Sequence, residues 1–338
     1  MASRSVVVLP DDSARPILEA IRSATSSIRV KMFVFSDPTL VRALIAARRR
    51  RVKVQVMLNA ARRDGEEENA LARKALRKGD VEVNDASPRF QLTHEKSMVV
   101  DEKMAFVASL NWAPKNFTGT RDYAVVTSHK REVGEIVDCF DADWQRRRFS
   151  AAPRSTLIWC PGGRDAIARF IDRARHALFV QNERYQDTVI IEHLVRASGR
   201  GVKVHVMTRP PHTLKEDKLV EGVGGLRILD DVGIKIHKLR HLRLHAKMLL
   251  ADGTSAIVGS MNLAPGSFDE RRELAIEVRD EDVVDRLYRV ARHDWKHSHP
   301  LDLSDEGLRA DLEERVEEAR KLGLVHARRF EDRRKRTS

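Results

Sequence analysis

The stretch THEKSMVVDEKMAFVASLNWAP (Thr93–Pro114) recurs as LHAKMLLADGTSAIVGSMNLAP (Leu244–Pro265). One offset of 151 positions, as from His94 to His245, joins the polar residues of the two copies. Upstream, VKVQVM (Val52–Met57) corresponds to VKVHVM (Val202–Met207) at an offset of 150. Chance does not produce this many matches at one spacing, so the sequence predicts two homologous lobes in one chain.

The order of segments within each repeat predicts the fold class. An apolar strand and an amphipathic helix are followed by a strand, a helix, three more strands that include the His-x-Lys and Ser-x-Asn segments, and then a last strand and helix. Strands that alternate with helices are typical of α/β domains, in which helices cover a sheet. We expect two such lobes, residues 1–150 and 151–303, related by a pseudo-two-fold axis. Residues 304–338 would form a tail with a charged helix over Asp311–Leu322 and a basic end.

The His-x-Lys segments carry the strongest chemical signal. Side chains two residues apart on a strand point to the same face, so His94 should lie beside Lys96, and His245 beside Lys247. Burying an imidazole and an ammonium together is costly unless an anion compensates. A lone buried histidine is more commonly a hydrogen-bonded core residue, but two matching pairs favour a positively charged site of the size of a phosphate group.

Other duplicated polar residues are candidates to complete this site. Hydroxyl and amide groups would donate hydrogen bonds to phosphate oxygens from Ser109, Asn111, Ser260 and Asn262. The carboxylates of Asp122 and Glu273 would accept from Nδ1 of the histidines and leave Nε2 available. Asp101 and Asp252 fit a structural role better than a chemical one.

The doubled motif resembles the signature of the phospholipase D superfamily, which is His-x-Lys, four residues, Asp, and then a Gly/Ser-rich Ser-x-Asn segment. The copies read HEKSMVVD with ASLN and HAKMLLAD with GSMN, and Ala108 stands where the family usually has glycine. The resemblance covers about residues 1–300. It implies a ping-pong mechanism through a phosphohistidine, without a metal or another cofactor. By this resemblance His94 is the expected nucleophile and His245 the general acid, and the transition-state charge would be balanced by Lys96, Lys247, Asn111 and Asn262.

The substrate is less well defined by the sequence. A net charge of +12 over 338 residues points to nucleic acid, an anionic membrane surface or another phosphate-bearing partner. Aromatic residues form 5% of the chain, which argues against an extended base-stacking surface. By resemblance, chains with two complete motifs more often act on lipids. We therefore expect a phospholipid substrate, as in phospholipase D or cardiolipin synthase, with a metal-independent DNA or RNA nuclease as the alternative; neither requires an oligomer.

The surroundings of the protein are predicted from its cysteines and apolar runs. Two cysteines, Cys139 and Cys160, are too few for a disulfide framework and favour a reducing compartment. No apolar run has the length of a signal peptide or a spanning helix, so we expect a cytoplasmic protein that is soluble or peripheral to a membrane.

Three weaker signals remain open. His241 and His245, or the cluster His293, His297 and His299, have spacings that suit zinc on a helix, but the first pair reads as a strand. Arg48–Arg51 and Arg62 could line a path for a polyanion, although a solvated helix end is the plainer interpretation. Gln181–Tyr185 follow a strand that should border the site and are candidates for contact with a head group.

Overall fold

A computed structural model describes residues 3–60, 69–210, 219–310 and 313 of the chain. The strands of the first half are β1 (Arg4–Leu9), β2 (Ser27–Met32), β3 (Lys53–Leu58), β4 (Glu82–Asp85), β5 (Ser97–Val100), β6 (Met104–Ala108) and β7 (Thr120–Thr127). Its helices are α1 (Arg15–Ser23), α2 (Pro38–Arg49), α3 (Ala70–Lys78), α4 (Pro114–Thr118) and α5 (Lys130–Trp144).

The second half repeats this sequence of elements. Its strands are β8 (Leu157–Cys160), β9 (Ala177–Gln181), β10 (Lys203–Met207), β11 (Lys235–Lys238), β12 (Arg243–Leu244), β13 (Met248–Ala251), β14 (Ser255–Gly259), β15 (Glu273–Val278) and β16 (His299–Pro300). Its helices are α6 (Arg164–Arg173), α7 (Thr188–Gly199), α8 (Leu219–Asp231), α9 (Pro265–Asp269) and α10 (Glu281–Lys296).

Each half forms a mixed sheet, and the two sheets have the same strand order. The first runs β1-β7-β6-β5-β2-β3-β4, and the second runs β8-β15-β14-β13-β9-β10-β11 and ends with β16. In the first sheet, β2 pairs in parallel with β3 and antiparallel with β5, the strand after the His-x-Lys motif. In the second sheet, β9 pairs in the same way with β10 and β13. The prediction of two homologous α/β lobes, each with a sheet flanked by helices, is confirmed.

Helices on the outer face of each sheet bury an apolar stripe against it. Helix α1, for example, turns Ile17, Ala20 and Ile21 inward, at the spacing of one helix face. Together with α2 and α3 it closes the core of the first half, and α6, α7 and α8 close the core of the second half in the same way.

The inner faces of the two sheets share a third apolar core with α5 and α10. Val99 and Tyr123 of the first half belong to the same cluster as Phe179 and Met248 of the second half. Two buried ion pairs cross the same boundary: Arg121 binds Asp294 and Arg272 binds Asp143, each through two hydrogen bonds. Such reciprocal contacts are what a pseudo-two-fold axis between the halves produces.

The structure differs from the sequence-based expectation at several elements. Helix α3 and strand β4, with their counterparts α8 and β11, were not predicted. His94 and Lys96 lie in an extended segment just before β5 rather than within the strand. The predicted lobe and tail boundaries stay predictions. Residues 305–310 are helical and Leu308 packs on the second core, whereas the predicted helix Asp311–Leu322, apart from residue 313, lies outside the described residues.

Among the helices that the structure describes, none is both long and apolar enough to cross a membrane.

Candidate active site

Each His-x-Lys segment is hydrogen-bonded to a strand of the opposite half. The backbone N–H of His94 donates to the carbonyl of Arg272 at 2.9 Å, and the N–H of Arg272 donates to Leu92. In the second half, β12 pairs with β7, and the N–H of His245 donates to the carbonyl of Arg121 at 3.2 Å. The two motifs are therefore held against the strands that carry Glu273 and Asp122.

This exchange between halves also determines the partner of each histidine. Nδ1 of His94 lies 2.9 Å from Oε2 of Glu273, and Nδ1 of His245 lies 2.8 Å from Oδ1 of Asp122. The sequence predicted the carboxylates as partners of the imidazoles but did not indicate that each would serve the histidine of the other half. With Nδ1 engaged, Nε2 is the ring nitrogen of each histidine that remains for chemistry.

The two imidazole–carboxylate pairs differ in their electrostatics. Burial lowers the pKa of His94 well below its ordinary value, and the nearby Lys96 and Lys247 lower it further. Burial raises the pKa of Glu273 despite the attraction of Lys96. For Asp122, by contrast, burial is outweighed by His245 and other donors, so its pKa is lowered. The first pair therefore favours a neutral imidazole, and the second keeps its carboxylate ionised.

The lysines of both motifs are buried in the same site. Lys96 and Lys247 are 1% and 2% exposed, and each ammonium donates to the carbonyl of the histidine two residues earlier. Burial lowers the pKa of Lys96 well below its usual range, and the charge of Lys247 lowers it further, although Glu273 opposes both effects. Two desolvated ammonium groups that repel each other form a site that an anion would stabilise.

The asparagines and serines have different surroundings. The side-chain oxygens of Asn111 and Asn262 are buried, with no hydrogen-bond partner among the described residues. These oxygens can only accept hydrogen bonds, so the predicted contact with a phosphate oxygen would come from the Nδ2 donors of the same amides. Ser109 instead donates to Asp122 at 2.6 Å, and the hydroxyl of Ser260 hydrogen-bonds the backbone of Leu274. Both serines are fully buried beside the carboxylate-bearing strands and make positioning contacts there, and their predicted contact with a phosphate stays a prediction.

Several residues of the site were missed by the sequence analysis. Asp122 also accepts from Thr120 at 2.6 Å and from Asn116 at 3.1 Å. Phe33 packs its ring against His94, and Glu183 binds Lys247 at 3.1 Å. Glu183 lies within Gln181–Tyr185, the segment considered for head-group contact, but the sequence did not single it out. Its counterpart in the first half, Phe33, is chemically unlike it and so gave no repeat signal.

Asp101 and Asp252 lie away from the imidazoles and bind backbone. Asp101 accepts from the N–H groups of Thr25, Ser26 and Ser27, at the start of β2. Asp252 accepts in the same way from Arg175, His176 and Ala177. Both carboxylates therefore fix the start of the central strand whose far end borders the site.

One cluster in the described part of the chain has the geometry of a metal site, formed by Glu95, Cys139 and Asp143. The ammonium of Lys31 already occupies it, at 2.9 Å from both carboxylates. The predicted alternative, zinc on the histidines, does not reappear among the described residues: His241 is followed by β12, and His297 binds the carbonyl of His293.

Comparison with known proteins bears directly on this arrangement. The profile of the family described as "Cardiolipin synthase, PLD-like domain" matches residues 17–144 and again 167–295. The chain belongs to this phospholipase D-like family. The match falls once on each half, as the duplicated motif predicts, and identifies the protein as an enzyme of the phospholipase D type, a phosphodiesterase or transphosphatidylase.

Relatives of this phospholipase D-like protein cover most of its length. It is 25% identical over 318 residues to cardiolipin synthase B of Escherichia coli O6:H1. The aligned region covers 80% of this chain and 75% of that protein. Phosphatidylserine synthase of Haemophilus influenzae superposes with a TM-score of 0.70 at 11% identity, over 95% of this chain and 94% of its own. Polyphosphate kinase of Porphyromonas gingivalis gives 0.69 at 16% identity, over 88% of this chain but only 48% of the kinase. These two structures support the fold alone.

Proposed function

We propose that the protein cleaves or transfers at the phosphodiester of a phospholipid through a phosphohistidine on His94. The observation that carries this proposal is the pair of reciprocal contacts, His94 with Glu273 and His245 with Asp122, around two buried lysines. A single phosphate between them would meet one imidazole on each side. The site needs both halves of one chain and no second subunit.

In the first step, Nε2 of neutral His94 attacks phosphorus and forms a P–N bond. The P–O bond to the leaving alcohol breaks, and the imidazolium of His245 gives its proton to the departing oxygen. Lys96 and Lys247 would neutralise the non-bridging oxygens as charge develops, and Nδ2 of Asn111 and of Asn262 would donate hydrogen bonds to them.

In the second step, the same groups act in reverse. His245, now neutral, takes a proton from water or from an acceptor alcohol, whose oxygen attacks phosphorus. The P–N bond breaks and His94 returns to its neutral form. Water as acceptor gives hydrolysis, and an alcohol gives transfer; the site geometry is compatible with both.

The unequal electrostatics of the two pairs support this assignment of roles. A nucleophile must be unprotonated, and burial with two nearby ammonium groups holds the pKa of His94 low. A general acid needs a partner that stabilises imidazolium, and Asp122 is ionised and receives three further hydrogen bonds. The reverse assignment would use His94, whose pKa is held low, as the proton donor.

A lipid substrate is supported by the length of chain shared with cardiolipin synthase B, and an anionic membrane surface suits the net charge of +12. We propose that the protein is cytoplasmic and acts there at the surface of a membrane. The nuclease alternative rests on the same charge and on the generality of the phosphodiester chemistry.

The test of this proposal compares the two substrate classes directly. The purified protein is incubated, with EDTA present, with vesicles of phosphatidylglycerol or phosphatidylcholine and separately with labelled DNA and RNA. We expect release or exchange of the head group, and loss of that activity in His94→Ala and His245→Ala. Cleavage of nucleic acid by a protein that leaves every vesicle intact would overturn the proposal.

A further inference from the structure

Equivalent positions on the two sides of the site carry unlike residues. Phe33 follows β2 and Glu183 follows β9, and these strands occupy the same place in their sheets. The ring of Phe33 meets the ring of His94 edge-on at 4.7 Å and lies 5.0 Å from the ammonium of Lys96. Glu183 instead sets Oε2 3.1 Å from Nζ of Lys247. The site therefore has an apolar wall on one side and a carboxylate on the other.

The carboxylate of Glu183 is charged although its side chain is only 11% exposed. Burial opposes ionisation, but Lys247 and His245 outweigh it and lower the pKa of Glu183 to about 2. A second cation, Arg209, lies 3.5 Å from Oε1. A carboxylate has about four acceptor sites, so these contacts leave capacity for another donor.

Glu183 compensates the buried charge of Lys247, yet at the equivalent place the first half has the ring of Phe33 beside Lys96 and no carboxylate. The first half accepts a phenylalanine at the equivalent place, and an apolar side chain avoids the cost of desolvating a charge. An ion pair with Lys247 also weakens the attraction of this lysine for a phosphate. Because the first half does without this carboxylate, and because the ion pair reduces the attraction of Lys247 for a phosphate, we infer that Glu183 contacts another part of the substrate.

We propose that Glu183 is a specificity-determining residue that accepts a hydrogen bond from a second hydroxyl of the alcohol at the site, selecting a short polyol of the glycerol type. This inference rests on the proposed function, in which His245 exchanges protons with the leaving or attacking alcohol. Glu183 binds Lys247, the lysine of the same motif as His245, so it borders the half of the site where that alcohol binds.

The charges around Glu183 distinguish a polyol from other alcohols. Lys247 and Arg209 lie 3.1 Å and 3.5 Å from the carboxylate, so an alcohol that carries an ammonium group would meet two cations that already neutralise it. A hydroxyl is neutral and donates to the carboxylate without this repulsion. A simple alkanol offers no donor and would leave the acceptor capacity of Glu183 unused.

The experiment measures how the phosphoenzyme partitions between competing acceptors. Three proteins are compared: wild type, Glu183→Gln, and Glu183→Phe, which carries the residue found in the first half. Each reacts with bis(4-nitrophenyl) phosphate and, separately, with phosphatidylglycerol vesicles. Glycerol and 1-propanol are present at equal concentration, and mass spectrometry gives the ratio of the two transfer products. We expect wild type to favour glycerol, and both variants to lower the ratio by roughly 10- to 100-fold, the effect of losing one charge-assisted hydrogen bond.

A matched control separates this contact from a general loss of negative charge. Glu192→Gln removes an exposed carboxylate of α7 and should leave the product ratio unchanged. An unchanged ratio in both Glu183 variants would overturn the inference, as would an equal decrease in Glu192→Gln. If wild type turns over the nitrophenyl ester but not the vesicles, the proposed lipid function fails while the ratio still decides the role of Glu183. No turnover of either ester would contradict both.

Discussion

Glu273 Oε2 lies 2.9 Å from Nδ1 of His94, a residue 179 positions earlier in the chain. The reciprocal contact joins Asp122 to His245 at 2.8 Å, across the same boundary. Neither motif histidine therefore finds its carboxylate within its own half, and the two halves contribute to each pair. The two pairs are unequal in charge, because Asp122 is held ionised whereas burial raises the pKa of Glu273.

The first prediction distinguishes the roles of Asp122 and Glu273 by comparing an ester whose leaving group needs a proton with one whose leaving group does not. In Asp122→Asn the burst of phosphoenzyme formation should slow by ~10²- to 10⁴-fold with a lipid ester, the usual cost of disabling a general acid and its partner. With a 4-nitrophenyl ester the loss should be less than about tenfold, because nitrophenolate leaves without a proton. Glu273→Gln should slow both bursts by similar factors. Rapid-quench kinetics measures them, and equal losses for both esters in Asp122→Asn would contradict the assignment of His245.

The second prediction concerns the acidic side of the pH profile of the burst rate, where protonation of His94 would slow the reaction. Burial and the ammonium of Lys96 both hold the pKa of His94 below 6.5, so the nucleophile stays neutral as the pH falls past that value. The burst rate with the nitrophenyl ester should remain level from pH 8 to below 6.5. Replacing Lys96 by glutamine removes one cause of the low pKa, so the acid limb should move to higher pH. If the acid limb shifts to lower pH or stays in place in this variant, Lys96 does not lower the pKa of His94.

The third prediction concerns the ion pairs that join the halves. In Asp143→Ala, the buried cations Lys31 and Arg272 lose a partner, and removal of one member of a buried pair typically costs ~3–5 kcal/mol of the free energy of unfolding. The matched control is Asp285→Ala, which breaks an exposed pair with Arg289 within α10 and should cost less than about 1 kcal/mol. Urea denaturation measures both. Equal losses would mean that the boundary contributes no more than a surface pair.

The fourth prediction concerns Asp101, whose bonds to three backbone N–H groups outweigh burial and lower its pKa. Because the folded pKa lies below the unfolded one, its stabilisation is present above about pH 4 and is lost as the pH falls through the folded value. Asp101→Ala should cost ~1–2 kcal/mol at pH 7, as for the loss of a helix cap, and its difference from wild type should shrink in acid. A difference that grows in acid would contradict this. Asp252→Ala provides the equivalent measurement in the second half.

The fold, and most of the residues that the structure brings together at the candidate site, could be predicted because duplication repeats each signal. Pairs such as His94 with His245 and Ser109 with Ser260 stand out against unrelated sequence, and each strand around them is apolar. Strand β4 was missed because only Val83 of its four residues is buried, which leaves almost no alternation to detect.

The contacts between halves could not be predicted from the same signal. A repeat is equally compatible with Asp122 serving His94 or His245, because sequence spacing does not say which halves meet. Glu183 was considered only as part of a segment, since its counterpart Phe33 shares none of its chemistry. Features that break the symmetry of a duplication lie outside what the repeat can reveal, and here they include the residue that we propose selects the alcohol.

The central claim, one site with His94 as nucleophile, is tested most directly by locating the covalent adduct. The protein is quenched during turnover of a 4-nitrophenyl phosphodiester, digested under conditions that preserve P–N bonds, and mapped by mass spectrometry. We expect the adduct on His94, its absence in His94→Ala, and its accumulation in His245→Ala, which lacks the base for the second step. An adduct on His245, or one that still forms in His94→Ala, would contradict the account.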